Sequence, residues 1–403
     1  MKFIHFADAH LDSPFLGLSF LPSKSFEQIH QAPNQSLTSI VDLALQEKVD
    51  LVLIAGDTFD SPRPNPSSQL FFAGEIERLT AAHIQVVMIF GNHDHMRAAD
   101  LLVPDSPFFK LLGDGEQIEG IKGQTASGFT YEVNGFSYLQ NHITANKAMQ
   151  LPAKSGHYTF GLMHAQEQSG QNGQNVYAPF TLSELKNLNY DYFALGHIHL
   201  RQMLSTSPLI VYPGNIQGRH VNELGPKGCI LGEINEQTGQ TEINFVQTGP
   251  IVWQRVKVEL AGPIAQTALQ SRLLATLQAD VTTYYSLQLV GAEYLNDQER
   301  ELVEDSDFWQ LLSSKLDHGS QLVDVRFAPS SHLEIAASDR VFFEEAENEI
   351  FTPEYFAQLC WDWSKKDDFA AQLAVAPDFL KDVRALAEVK LNSRLKGISD
   401  EIN

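Results

Sequence analysis

Five apolar runs in the first half of the chain end in the same kind of polar cluster, and this recurrence limits the possible folds more than any other feature. KFIHFADAH reaches Asp8 and His10, VLIAGD reaches Asp57, and VVMIFGNHD reaches Asn92, His93 and Asp94. TFGLMH ends on His164, and YFALGHIH carries His197 and His199. Short apolar runs alternating with helical patterns read as βαβ units. In open α/β sheets the carboxyl ends of the strands border one crevice, where ligands bind. Side chains placed there from separate strands therefore share a site, and the glycines beside them let backbone approach closely.

The surrounding pattern fills in the elements. Strands are expected over residues 2–7, 49–55, 84–90, 158–163, 192–195, 209–212, 229–234 and 243–246. Helices are expected over 37–47 and, after Pro62, Pro64 and Pro66, over 67–82. The stretch between 90 and 158 reads as loop-rich. Together these form a sandwich of sheets flanked by helices (α-β-β-α) rather than one parallel sheet. The texture changes near Trp253: strands over 256–260, 284–290 and 322–327 with a helix over 308–316 make a small αβ capping domain. Beyond residue 338 the chain reads as helical, over 353–364 and 377–395, each opening on a helix-compatible Pro. Domains of 1–252, 253–338 and 339–403 follow. In the last helix Phe379, Leu380, Val383, Leu386 and Ala387 form one apolar face, which packs inside the chain or docks a partner helix.

Composition narrows the class. With 403 residues, two or three domains are expected. The start MKFIHFADAH lacks the pattern of a signal peptide, and no apolar run approaches the roughly 18 residues of a membrane span. Cys229 and Cys360 stand far apart without a CxxC pattern, which excludes a disulfide framework or thiolate zinc site and points to a cytoplasmic protein. The charge, 28 Lys and Arg against 50 Asp and Glu, is −22. That sign is opposite to the usual one for a free-standing DNA binder. It fits DNA only if bound divalent cations invert the local field or a basic partner neutralises phosphate. Otherwise the acidity simply keeps the chain soluble.

The donor inventory at the strand ends is His10, His164, His197 and His199, the carboxylates Asp8 and Asp57, and the amide of Asn92. On extended strands residues i and i+2 point the same way, so Asp8 pairs with His10 and His197 with His199. Four imidazoles, two carboxylates and one amide oxygen suit two divalent ions sharing one carboxylate. Mixed nitrogen and oxygen donors without thiolate favour Mn²⁺, Fe²⁺ or Zn²⁺ over Ca²⁺ or Mg²⁺. Two such ions about 3.5–4 Å apart can activate a water and stabilise charge on phosphate oxygens, as the slow hydrolysis of phosphodiesters demands.

The ordered set D-x-H, GD, GNHD, H and GHxH resembles the calcineurin-like metallophosphoesterase superfamily. MKFIHFADAHLDSPFLGL and YPGNIQGRHVNELGPKG resemble SbcD-type DNA-repair exonucleases, most closely the YhaO-like bacterial branch. The resemblance implies one metal on Asp8, His10, Asp57 and His199, a second on Asp57, Asn92, His164 and His197, and Asp57 bridging. It gives His93 the role of acid or transition-state stabiliser at the scissile phosphate, and the adjacent Asp94 can orient its ring. It places Asn215 and Arg219 near the site as candidate phosphate contacts. It also implies DNA as substrate, Mn²⁺ as the leading metal, a partner ATPase of the SbcC or YhaN kind (ABC/SMC-type), and pairing as homodimers. One departure stands out: where SbcD-like nucleases often carry a His three residues after the GD aspartate, this chain has Asp60.

Each residue also has a plainer reading. Asp8 and Asp57 singly would be helix caps or turn formers, His93 a loop histidine, and residues 212–215 a turn. His5 reads as a packed strand residue, and His95, His142, His157 and His220 as surface residues unconnected with the cluster. The acidic run 343–347 reads as a solvated helix face. Two rival functions remain: a dimetal phosphatase or phosphodiesterase for nucleotides, cyclic nucleotides or phosphoproteins, and a scaffold that keeps the fold without turnover. The full set of ligand types weighs against the second.

Overall fold

In a computed structural model, the described residues are 1–168, 177–330 and 377–395, with a few positions between 341 and 358. They fall into two compact units, Met1–Ser19 with Ser23–Trp253, and Phe20–Pro22 with Gln254–Asn403.

The first unit opens with Lys2–Phe6 (β1), Ser23–Glu47 (α1), Leu51–Ala55 (β2), Pro66–Ala81 (α2), Gln85–Ile89 (β3) and Phe109–Leu111 (β4). Glu119–Gln124 (β5), Thr130–Gly135 (β6), Tyr158–His164 (β7), Leu182–Asn187 (α3) and Tyr192–Gly196 (β8) follow. Gln202–Thr206 (β9), Leu209–Tyr212 (β10), Gly228–Ile234 (β11) and Thr241–Gln247 (β12) complete it. Two six-stranded sheets result, ordered β12-β11-β1-β2-β3-β4 and β5-β6-β7-β8-β10-β9. Strands β1 to β4 run parallel, as do β6, β7, β8 and β10.

Alternation along the strands builds the layers. Phe3, Leu51, Leu53, Val87 and Ile89 face a core shared with Val133, Phe160, Leu162, Tyr192 and Ala194 of the other sheet. Their neighbours Ile4, Phe6, Val52, Ile54, Val86 and Met88 face the opposite way, against Ile40, Val41 and Ala44 of α1 and Phe72, Ile76 and Leu79 of α2. Phe193, Leu195 and Ile210 cover the outer side of the second sheet with Leu185 of α3. The period of two thus gives each central strand two buried faces, as helix-covered parallel sheets require. The Phe3 ring stands edge-on to Phe160 and Tyr192 at 5.2 and 5.0 Å, contacts worth about 0.5–1.5 kcal/mol beyond their buried area. This is the expected α-β-β-α sandwich.

Two expectations need correction. Helix α1 begins at Ser23, well before residue 37, and runs through Pro33. A proline normally ends a helix because it removes a backbone donor, but here buried Ile29, Ala32, Pro33, Leu37 and Ile40 keep one face against the core. The stretch between 90 and 158 holds three strands, β4 to β6, although Gly120, Gly123, Gly128 and Gly135 gave it a loop-like composition. Ladder pairing from residue 119 to 135 compensates.

The second unit places Val252–Glu259 (β13), Thr283–Val290 (β14) and Gln321–Ala328 (β15) in a three-stranded sheet. Gln266–Thr276 (α4), Asp297–Glu304 (α5), Ser306–Ser313 (α6) and Pro377–Leu395 (α7) accompany it. Its core joins Leu273, Tyr285, Leu287, Phe308 and Leu312 with Val389 of α7, and Leu386 packs beside them. The last helix therefore turns apolar residues into its own unit. The helix expected over 353–364 and the acidic run 343–347 lie outside the fully described residues.

Candidate metal centre

All seven expected ligands lie in the loops just past β1, β2, β3 and β8 or at the end of β7. Four of them are in left-handed rather than extended backbone. Asp8, His10, Asp57 and His197 have φ of 52°, 43°, 50° and 97°. Left-handed turns, not strand pleats, aim these four, so the extended backbone assumed by the i, i+2 argument is not what orients Asp8, His10 and His197. Non-glycine residues in that region cost roughly 1–3 kcal/mol each and persist only where surrounding structure fixes them. Here the fixing is a backbone zipper beyond the sheet, with Asp8 N–H on Gly56 O, His10 N–H on Asp57 O and Leu11 N–H on Thr58 O.

Close packing is built into the same loops. Gly56 has φ +88°, and a Cβ there would lie 2.6 Å from His164 Nδ1. A Cβ on Gly196 would lie 2.0 Å from Ala55 O. Both positions need glycine for close approach, and Gly56 for its dihedral as well.

One donor atom each from Asp8, His10 and His199 come within 4.8 Å of one another, and so do those of Asp8, Asp57 and His164. Asn92 Oδ1 lies 3.0 Å from His164 Nε2 and 3.1 Å from His197 Nδ1. Asp57 Oδ2 lies 3.3 Å from His164 Nε2 and 3.8 Å from His10 Nε2, between the two groups. The chain thus brings all seven together, with Asp8, His10 and His164 fully buried.

The hydrogen bonds at the outer ring nitrogens test whether the cluster suits metal ions. His164 Nδ1 is 2.9 Å from Ala55 O, His10 Nδ1 2.9 Å from Asp60 Oδ1, and His199 Nδ1 2.6 Å from Glu223 Oε1. Carbonyl and carboxylate oxygens only accept, so these Nδ1 atoms carry hydrogen and Nε2 of each neutral ring is a bare lone pair. The lone pairs converge. His10 and His199 face each other Nε2 to Nε2 at 3.0 Å, and His164 Nε2 faces the Asn92 and Asp57 oxygens. Acceptors opposed without a hydrogen between them call for a cation or an added proton. The donor set fits two divalent ions.

Electrostatics agree. Burial, reinforced by charge on His164, lowers His197 to about 3, and burial lowers His10 to about 4, so both rings are neutral as ligands must be. Burial also opposes charge on His164, but Asp57 and then Asp8 outweigh it and raise that ring to about 9. Asp57 in turn is held below the usual carboxylate range, against burial, by His164, His10 and His93. In the metal-free protein a proton on His164 thus stands in for positive charge.

The remaining candidates are placed differently from one another. His93 is open to solvent (side chain 43% exposed), its ring edge-on to His10 at 4.9 Å and its backbone N–H on Asp57 Oδ1. Asp94 is wholly buried and does not touch that ring. Its oxygens accept the backbone N–H groups of Gly91, Thr58 and Phe59, so it ties the loops after β2 and β3 together. The carboxylate nearest the His93 ring is Asp60, at 3.8 Å. Asn215 is also fully buried, its amide donating to Gln217 O and Glu223 Oε2. Arg219 reaches Asp60 Oδ1 at 3.0 Å with its guanidinium partly exposed.

Sequence reasoning missed Glu223 and the role of Asp60. Both are carboxylates that hold a ligand imidazole by its outer nitrogen, an arrangement that fixes ring orientation and basicity. Neither follows an apolar run, so periodicity carried no signal for them. His5 is a packed strand residue as expected, bonded to Tyr192 Oη and Leu195 O. Three histidines read as unconnected do touch the site's supports: His95 on Asn92 O, His220 on Glu223, and His142 stacked on Tyr177, which itself lies 4.4 Å from the His197 ring.

Residues 1–201 match the calcineurin-like phosphoesterase family. YhaO of Bacillus subtilis (strain 168), described as an uncharacterized metallophosphoesterase, is 34% identical over 285 residues, 67% of this chain and 65% of its own. The DNA double-strand break repair protein Mre11 of Thermoplasma acidophilum is 23% identical, covering 64% of this chain and 66% of that protein. The SbcD component of the nuclease SbcCD of Escherichia coli (strain K12) is 23% identical, covering 75% and 81%. With its fold and clustered donors, the chain belongs to the calcineurin-like phosphoesterases, a family built around a dimetal centre. Within that family it stands in the branch of YhaO and the SbcD-like proteins. Its matches span just under two thirds of the YhaO and Thermoplasma Mre11 chains.

Proposed function

We infer that the chain is a Mn²⁺-dependent phosphodiesterase acting on DNA, the nuclease subunit of a complex with an ABC/SMC-type ATPase. The observation that carries the reading is the convergence of ligand atoms, His10 Nε2 on His199 Nε2 and His164 Nε2 on the Asn92 and Asp57 oxygens. DNA is favoured by the relatives whose names record nuclease or break-repair roles. A basic partner answers the net charge of −22, which by itself would repel the substrate.

Two divalent ions, when bound, supply a water of lowered pKa and a clamp for phosphoryl oxygens. In this reading Asp8, His10, Asp57 and His199 hold one ion, and Asp57, Asn92, His164 and His197 the other. The chain's own residues do the rest. Ala55 O, Asp60 and Glu223 fix the tautomers that turn Nε2 inward. Asp94 locks two ligand loops. His93, exposed at the mouth beside His10, is positioned to donate a proton to the departing oxygen or to hydrogen-bond the charged phosphate.

The test is purified protein with Mn²⁺ on linear DNA with defined ends, beside a chromogenic phosphodiester. Degradation of DNA upholds the reading. The acidic charge is the one observation that favours a smaller substrate, and activity confined to the small ester, or to nucleotides, would replace DNA with that class.

A further inference from the structure

Around the more open half of the site, five residues close a ring that the metal ligands alone do not explain. Asp60 Oδ1 takes both His10 Nδ1 (2.9 Å) and an Arg219 guanidinium nitrogen (3.0 Å). At the other end of Arg219 its backbone N–H donates to Glu223 Oε2 at 2.7 Å. The second oxygen of Glu223 accepts His199 Nδ1 at 2.6 Å, and His199 returns to His10, Nε2 to Nε2, at 3.0 Å. Two carboxylates thus each grip one imidazole of the facing pair and one end of the same arginine. Buried Asn215 steadies Glu223. Asp60 is mostly buried and anchored by its own backbone, N–H to Leu11 O. Arg219 keeps partial exposure beside His93, the residue at the mouth.

We propose that Asp60 is a positioning residue with two loads: it sets the imidazole of His10 for metal and holds Arg219 as the cation that meets the substrate phosphate. The proposal rests on the phosphodiesterase reading for its second load but not for its first. A single oxygen serves both donors, so the geometry of the arginine and of the ligand cannot be changed separately. A guanidinium so held loses little further freedom when phosphate arrives, and it presents its remaining N–H groups in a fixed plane. The same ion pair cancels the charge that Asp60 would otherwise add beside an anionic substrate.

The experiment compares wild type with Asp60→Asn, Arg219→Ala and the double variant. Asparagine keeps the shape of Asp60 and removes its charge, and thermal denaturation checks that each variant folds. Mn²⁺ affinity is measured by calorimetry without substrate. Steady-state kinetics use bis(p-nitrophenyl) phosphate. Asp60→Asn is expected to weaken Mn²⁺ binding by about 10–100-fold, the usual effect of removing a partner behind a metal ligand, and to raise KM. Arg219→Ala is expected to raise KM with a much smaller change in Mn²⁺ affinity. The double variant is expected to show a KM no worse than Arg219→Ala alone, because the arginine effect is lost once. Wild-type Mn²⁺ affinity in Asp60→Asn overturns the first load. KM effects that multiply in the double variant overturn the second. If the wild-type protein with Mn²⁺ hydrolyses no phosphodiester, the functional reading and the second load fail together, and the calorimetry still decides the first.

Discussion

The two halves of the metal centre are anchored by different means. His164 sits fully buried at the end of β7, its outer nitrogen on a backbone carbonyl, Ala55 O. His10 and His199 instead lean on side chains, Asp60 and Glu223, and His199 keeps 26% of its side chain exposed. A ligand oriented by main chain is as fixed as the sheet that carries it, and no single side-chain replacement removes its partner. A ligand oriented by a carboxylate can be retuned by one substitution. On the proposed function, the rigid half would secure a metal, and the open half would be where substrate contacts and metal affinity are adjusted together.

The largest effect should come from the residue shared by both halves. Asp57→Asn removes the charge between His164 and His10, and phosphodiesterase activity is expected to fall about a thousandfold or more as both ions are weakened. Metal content by plasma mass spectrometry, read with the rate, checks this; retention of both ions would undo the bridging role. Next, Glu223→Gln should weaken Mn²⁺ binding about 10–100-fold by loosening His199, the one expected ligand it holds, and a calorimetric titration should show one strong and one weakened ion. Two equally weakened ions would mean the halves are not separable.

Acid should act on both halves. His164 is raised to about 9, so below that value the buried ion must displace a proton. His10, at about 4, has none to give at neutral pH, but its partner His199 is raised, against burial, by its hydrogen bond to Glu223 and by Asp8, and gives up a proton as well. Metal affinity is therefore expected to rise by up to about tenfold per pH unit between pH 7 and about 9 for the ion at His164, then level off, with a further rise at the His199 side. Calorimetry in buffers of different ionisation enthalpy counts the released protons. The smallest effect belongs to Tyr138, whose ring stands edge-on to His164 at 5.7 Å and whose buried hydroxyl has no hydrogen-bond partner among the described residues. Tyr138→Phe should change stability by no more than about 1 kcal/mol, with metal binding intact. A large loss would reveal a hidden partner for that hydroxyl.

Much of this was legible before any coordinates. Apolar runs ending in Asp, Asn, Gly and His located β1, β2, β3, β7 and β8 and the seven donors, because strand period and ligand chemistry are both local properties. The backbone that aims Asp8, His10, Asp57 and His197 was not legible, since left-handed φ at non-glycine residues depends on the neighbouring loop. Nor was the second role of Asp60, seen in the sequence only as a departure, or that of Glu223, which lies in a turn with no periodic signal. Asp94 looked like a partner for His93 by adjacency alone, whereas its carboxylate points to amides of two loops. The start of α1 was hidden by Pro33, where core packing overrides a local helix breaker.

Tightness at Gly56 and Gly196 also decides how a protein of this build can diversify. Any side chain at either position would collide with the His164 ring or with the carbonyl that orients it. Leu16 and Leu200, on the loops just beyond His10 and His199, stand 85% and 61% exposed and face no such limit. Change is thereby channelled to the rim. New substrates can be gained by exchanging loop tips over a floor that tolerates almost no alteration, so one hydrolytic apparatus can be inherited intact by proteins that act on very different esters.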